Sequence, residues 1–92
     1  MTNATENQPC DYTRARPTLK RGSSGEAVKQ AQCYLNLSMD GDKLAEDGSF
    51  GPVTDAATRR FQKCADITVD GIIGAQTWSF LTYWANSTEY VC

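Results

Sequence analysis

Ninety-two residues with nine basic side chains, eleven acidic ones and a net charge of −2 make a single small domain of ordinary globular composition. The interspersed charge argues against nucleic acid or an anionic membrane as partner, and no apolar run approaches the roughly 18 residues of a membrane span. There is no histidine, which removes the commonest metal ligand and the usual general base near neutral pH.

Residues 1–16 are polar and without period, and they lack the basic-then-apolar pattern of a signal peptide. They predict an N-terminal arm pinned at Cys10. Pro17-Thr18-Leu19 marks the entry to the domain, with Leu19 as the first core residue. Gly22 and Gly25 bracket a tight turn. From Glu26 the apolar positions Val28, Ala31 and Leu35 fall on one helical stripe, and Glu26 suits the positive end of the dipole. This first helix should end near Asn36 or Leu37. Residues 38–46 read as a surface loop. Counting an EF-hand from Asp40 places Ala45 at position six and Gly51 at position twelve, so a calcium loop is ruled out.

Asp47-Gly48-Ser49-Phe50-Gly51-Pro52-Val53-Thr54 then states a pattern that returns as Asp70-Gly71-Ile72-Ile73-Gly74-Ala75-Gln76-Thr77. Each copy is D-G-x-[apolar]-G-x-x-T, and each runs into a helical pattern. Gly51-Pro52 reads as an N-cap followed by proline at the first helical position, where the missing N–H costs nothing. The second helix carries Ala57, Phe61 and Cys64 on one side, and Arg59, Arg60 and Lys63 crowd its last turns. A third helix is predicted from about Ala75 to Ala85, with Trp78 and Leu81 inward. Residues 86–92 form a polar tail ending on a cysteine. Leu44-Ala45 and Thr68-Val69 are placed to pair as two tiny strands.

Cysteines stand at 10, 33, 64 and 92 with no C-x-x-C spacing. Two disulfides and an extracytoplasmic setting follow, rather than zinc. Three connectivities are open. The closeness of domain termini and the packing of the first two helices favour Cys10–Cys92 with Cys33–Cys64.

Leu19, Gly22-Ser23-Ser24-Gly25, Val28, Gln32 and Leu35, the two D-G-x-[FI]-G-x-x-T copies, Phe61-Gln62 and Thr77-Trp78-x-x-Leu81 together resemble the peptidoglycan-binding domain of the most widespread type. That small three-helix module is attached to many bacterial and phage wall hydrolases. The resemblance covers residues 17–85 and implies an all-α, compact three-helix bundle with two similar turn–helix repeats. The cysteine-bearing arms look like those of secreted actinobacterial members, for which a staple joining the two ends is expected. Ala31 and Ala57 are smaller than the aliphatics usual in the family, and Asp66 stands where glycine is common after the second helix.

By resemblance the expected function is non-catalytic binding of bacterial cell-wall peptidoglycan, anchoring an associated activity at the wall. The partner is the glycan strand, the stem peptide or both, with a catalytic hydrolase on another chain or a lost domain as a second candidate. No cofactor, metal, nucleic acid or membrane is expected, and the protein is expected to be an extracellular or wall-associated monomer. The alternative is a secreted protein-interaction or structural module on the same scaffold. Glycoside cleavage would need two carboxylates across a cleft. Asp47, Asp70 and Glu46 instead occupy tight turns, and a chain without histidine offers no Ser/His or Cys/His pair.

A polar wall fragment suits a shallow groove of amide, hydroxyl and carboxylate groups beside aromatic faces. The candidate lining is Tyr34, Asp47, Ser49, Arg59, Gln62, Thr77, Tyr83 and Trp84. The Asp-Gly turns are expected to be chiefly scaffold. Gln32 and Gln62 either line the groove or tie loop backbone. Trp78 and Phe61 belong to the core. Phe80, Tyr83 and Trp84 cannot all face inward from one short helix, so one or two stack on sugar or, as the favoured reading, lie under the terminal arms.

Overall fold

The computed structural model describes residues 10–92, so the first nine positions of the expected arm lie outside the described residues. Three helices follow one another: α1 (Glu26–Ser38), α2 (Pro52–Cys64) and α3 (Ala75–Ala85). α2 starts as the sequence predicts, with Gly51 as N-cap and Pro52 at the first helical position. α3 follows Gly74 in the same way and spans the predicted residues. α1 runs one turn-fragment beyond the expected end. The ammonium of Lys43 closes it, donating to the carbonyls of Asn36 (2.7 Å) and Met39 (3.0 Å), a cationic cap supplied from the loop rather than from the helix itself.

α1 is the central element, packed mainly on α3 and to a lesser extent on α2. Its stripe of Val28, Ala31 and Leu35 is wholly buried, with Leu19, Phe50, Phe61, Ile73, Trp78 and Leu81 around it. Burial does not stop at the stripe: Gln30, Gln32, Cys33 and Tyr34 are also interior. A helix covered over most of its surface, with Glu26 and Leu37 left exposed, reads in sequence as an ordinary amphipathic one when the extra cover consists of polar turns and an arm that its amides can satisfy.

The end of α2 explains the aspartate after it. Asp66 has φ 61, Asp66 N–H donates to Lys63 O at 3.1 Å and Ile67 N–H donates to Gln62 O at 3.0 Å. These are the two bonds of a Schellman closure, which glycine usually completes and aspartate tolerates.

The expected strand pairing between residues 44–45 and 68–69 is corrected. The described residues contain two isolated antiparallel bridges, Leu19 with Ile73 and Ser24 with Ser49. Leu19 N–H donates to Ile73 O (3.0 Å) and Ile73 N–H to Leu19 O (2.8 Å). Gly22 N–H donates to Phe50 O (3.0 Å), Phe50 N–H to Ser23 O (3.0 Å) and Gly25 N–H to Gly48 O (2.9 Å). The segment before α1 therefore lies between the two D-G turns and ties both into one layer. The first Asp-Gly segment bonds to the Gly22–Gly25 turn and the second to Leu19 just before it, so the backbone groups of one short segment serve both.

The favoured disulfide pairing is also overturned: the bonds are Cys10–Cys33 and Cys64–Cys92. Each staples a terminal segment to a helix instead of joining the two ends or the two helices. The N-terminal arm runs over α1 and α3. Gln30, buried on α1, donates to Cys10 O (3.1 Å) and accepts from Tyr12 N–H (2.8 Å). Trp78 Nε1–H donates to Pro17 O at 2.7 Å. The Arg16 guanidinium lies 5.0 Å from the Trp78 ring centroid and 5.7 Å from that of Tyr34. The C-terminal tail crosses the end of α1, where Val91 N–H donates to Ser38 O (2.8 Å) and Asp40 N–H to Cys92 O (3.0 Å).

Candidate functional site

The duplicated turn is built on a buried glutamine. From α1, Gln32 Oε1 accepts from Gly48 N–H (2.9 Å), while its Nε2 donates to Asp47 Oδ1 (3.1 Å), Ser49 O (3.1 Å) and Thr54 Oγ1 (3.0 Å). From α2, Gln62 Oε1 accepts from Asp70 N–H and Gly71 N–H (3.0 Å each). Its Nε2 donates to Asp70 Oδ1 (3.0 Å), Ile72 O (2.9 Å) and Thr77 Oγ1 (3.2 Å). One side-chain amide thus satisfies the turn, its aspartate and the threonine of the following helix. This satisfied buried network makes each turn–helix junction rigid. Gly48 and Gly71 hold φ 79 and 73, left-handed values that favour glycine. A Cβ on Gly71 would also run into Asp55 and Arg59.

The aspartates close the turns from outside. Asp47 Oδ1 accepts from Ser49 N–H (3.0 Å), and Asp70 Oδ1 accepts from Ile72 N–H (2.9 Å). These backbone donors, and next the glutamine amides, hold both carboxyls below their ordinary value of 3.8. A carboxyl whose folded-state pKa is depressed stabilises the fold at pH above the unfolded value and loses that contribution as pH falls through the folded one. The melting temperature should therefore be level from neutrality to about pH 5 and decline below about pH 4. The double variant Asp47→Asn/Asp70→Asn should flatten that acid limb in a melting series. An unchanged limb would assign it to other carboxylates.

The eight candidate residues do not converge on one groove. Tyr34, Gln62 and Thr77 are buried, at 1%, 1% and 5% exposure. The structure corrects their placement: Tyr34 packs edge-on to Trp78 under Arg16, and Gln62 and Thr77 belong to the clamp just described. Their polar groups lie inside because backbone groups needed them there. Arg59 lies exposed beside the second turn, its Nε donating to Asp55 Oδ1 at 3.1 Å, with Arg21 meeting the other oxygen of Asp55 at 3.3 Å. Tyr83 is exposed at 66%, and Tyr83, Trp84, Phe80 and Ser79 border an open depression of about 370 Å³ on α3. Among the described residues the arm meets α3 at Trp78, whose Nε1–H donates to Pro17 O, while Tyr83 stays exposed.

Asp47 and Ser49 do share a cavity, of about 330 Å³. It is lined by Gln32 and Thr54 of the first clamp, by Lys43, Leu44 and Ala45 of the preceding loop, and by Gly51, Pro52 and Val53. Lys43 and Leu44 also border an adjoining depression of about 500 Å³ with Asn36, Leu37, Glu46 and Tyr90. The wall residues were not among the sequence candidates, yet a signal for them existed. Gln32 and its aspartate are 15 positions apart, whereas Gln62 and its aspartate are 8 apart. The extra chain is shared between a longer run of α1 after its glutamine and a longer connection beyond it, and that connection contributes Lys43, Leu44 and Ala45 to the cavity.

Comparison with known proteins agrees with this architecture. The model of the putative peptidoglycan binding domain family matches residues 24–81, and the chain belongs to that family. It is 43% identical over 72 residues to an uncharacterised protein of Kitasatospora aureofaciens, covering 78% of this chain and 61% of that one. It is 48% identical over 63 residues to the zinc D-Ala-D-Ala carboxypeptidase of Streptomyces albus G, covering 67% of this chain and 25% of the enzyme. The chain thus spans less than two thirds of the length of either relative. Among solved structures, the N-terminal domain of SleB superposes with a TM-score of 0.67 at 35% identity, covering 78% of this chain and 97% of that one.

Proposed function

We propose that this domain binds bacterial cell-wall peptidoglycan without catalysing a reaction on it, and holds an associated wall-acting activity at its substrate. The observation that carries the reading is the doubled glutamine–aspartate–threonine clamp within a chain of the peptidoglycan binding family. The first clamp fixes the exposed Asp47 and Ser49 at a shallow cavity, where a carboxylate and a hydroxyl suit a ligand that is itself rich in amides and hydroxyls. The two disulfides support an extracytoplasmic setting. The zinc carboxypeptidase relative supports a partnership with a wall hydrolase, on the same or another chain. Incubation of the oxidised protein with purified insoluble walls, followed by sedimentation, tests the reading. Saturable removal from the supernatant is expected. Retention in the supernatant, while an established wall-binding module sediments, would reject it.

A further inference from the structure

The internal duplication supplies its own control. Both turns have the same glutamine, aspartate, glycine and threonine, with matching bonds from the glutamine Nε2 to the aspartate and threonine, so the clamp by itself does not explain the cavity at the first copy. What differs is the longer connection after α1, which brings Lys43, Leu44 and Ala45 over Asp47 and Ser49. The scaffolding role of Asp47 is met through Oδ1, on which both Ser49 N–H and the Gln32 amide converge. Its carboxylate is exposed and charged at neutral pH. Lys43 supplies the opposite charge: its ammonium makes two bonds to the end of α1 and lies 5.4 Å from the Tyr90 ring centroid, with a third proton beyond those two hydrogen bonds. Between these charges the lining is aliphatic: Leu44, Ala45, Pro52 and Val53.

We propose that this cavity is a subsite for the diamino-acid residue of a wall stem peptide. The side-chain ammonium is held by Asp47, the aliphatic stem lies against Leu44 and Val53, and a peptide carboxylate or carbonyl meets Lys43. The assignment rests on the wall-binding reading and adds which part of the polymer is recognised. The volume of about 330 Å³ lies near the floor of the range of roughly 300–1,000 Å³ typical of small-ligand sites, which suits one residue-sized group better than a run of sugars. A zwitterionic group on an aliphatic stem uses every kind of surface present, whereas uncharged sugar hydroxyls leave the charged pair without a counterpart.

The test uses the oxidised protein, insoluble walls, and three soluble competitors: a stem peptide with a free diamino-acid side-chain amine, the same peptide acetylated on that amine, and glycan strands stripped of peptide. The free-amine peptide should displace the protein from walls and shift the amide NMR signals of Lys43, Leu44, Asp47, Ser49 and Val53. Acetylation should weaken it about tenfold or more, the loss expected for one charge-assisted contact. Asp47→Asn keeps an acceptor oxygen for the turn but removes the charge, so it should weaken peptide binding about tenfold. Asp70→Asn, the matching change in the unwalled copy, should leave binding unchanged. Equal potency of the acetylated peptide, competition by bare glycan alone, or equal effects of the two variants would overturn the subsite while leaving wall binding intact. Failure to sediment with walls would reject the wall reading, and the peptide titration would then judge the cavity separately.

Discussion

Gln62→Leu should cost about 3–5 kcal/mol of folding stability. The substitution preserves bulk and apolar packing at a fully buried position. It strips partners from Gly71 N–H and Thr77 Oγ1, both in buried residues, and from Asp70 N–H and Ile72 O. Each buried polar group left unpaired costs about 1–3 kcal/mol, partly recovered where water reaches it or leucine gains burial. At about 4–8 °C per kcal/mol for a domain of this size, melting should fall by roughly 15–30 °C. Circular-dichroism melting of the oxidised variant checks this. A loss under about 1 kcal/mol would mean that water or a neighbouring side chain replaces the amide, and that the clamp is dispensable. Gln32→Leu should lose somewhat less, since it removes the matching bonds from the first turn apart from one to the aspartate N–H, which only Gln62 makes.

Loss of either disulfide should lower stability by about 3–4 kcal/mol, and the two losses should add. The bonds close sequence separations of 23 and 28 residues, for which loop-closure entropy assigns nearly equal stabilisation of that size. They lie on different terminal segments, so coupling between them should be small. Removing Cys10 and Cys33 together should leave a protein without free thiols, because Cys64 and Cys92 keep each other. Under an end-to-end pairing the same double variant would expose two. A thiol titration of Cys10→Ser/Cys33→Ser distinguishes these outcomes directly. The melting shift, roughly 15–25 °C per bond, measures the energy.

The helices and turns were readable one residue at a time. Proline at position 52 after Gly51, the apolar period from Val28 to Leu35, and the glycines of both D-G turns act through sterics and bonding within a few residues. Those forces operate the same way whatever the rest of the chain does. The start of α2 and both limits of α3 came out as expected for that reason, and the order of the same residues marked the family.

Other features depended on which distant segments meet. Cys10 pairs with Cys33 because the arm crosses α1, where Gln30 holds its backbone. Cys64 pairs with Cys92 because the tail passes the end of α1 on its way to α2. The closeness of chain ends, the basis for expecting Cys10–Cys92, is a tendency of domains and not a force on those two residues. Gln62 and Thr77 looked like groove residues because polar side chains usually face water, and only the folded backbone shows the buried N–H and C=O groups that draw them inside. The repeated D-G-x-x-G-x-x-T pattern identified the scaffold twice over. The unequal spacing of the two copies was also legible, but that the longer connection lines a cavity beside Asp47 depends on where the folded chain carries it, and so belongs to the tertiary structure.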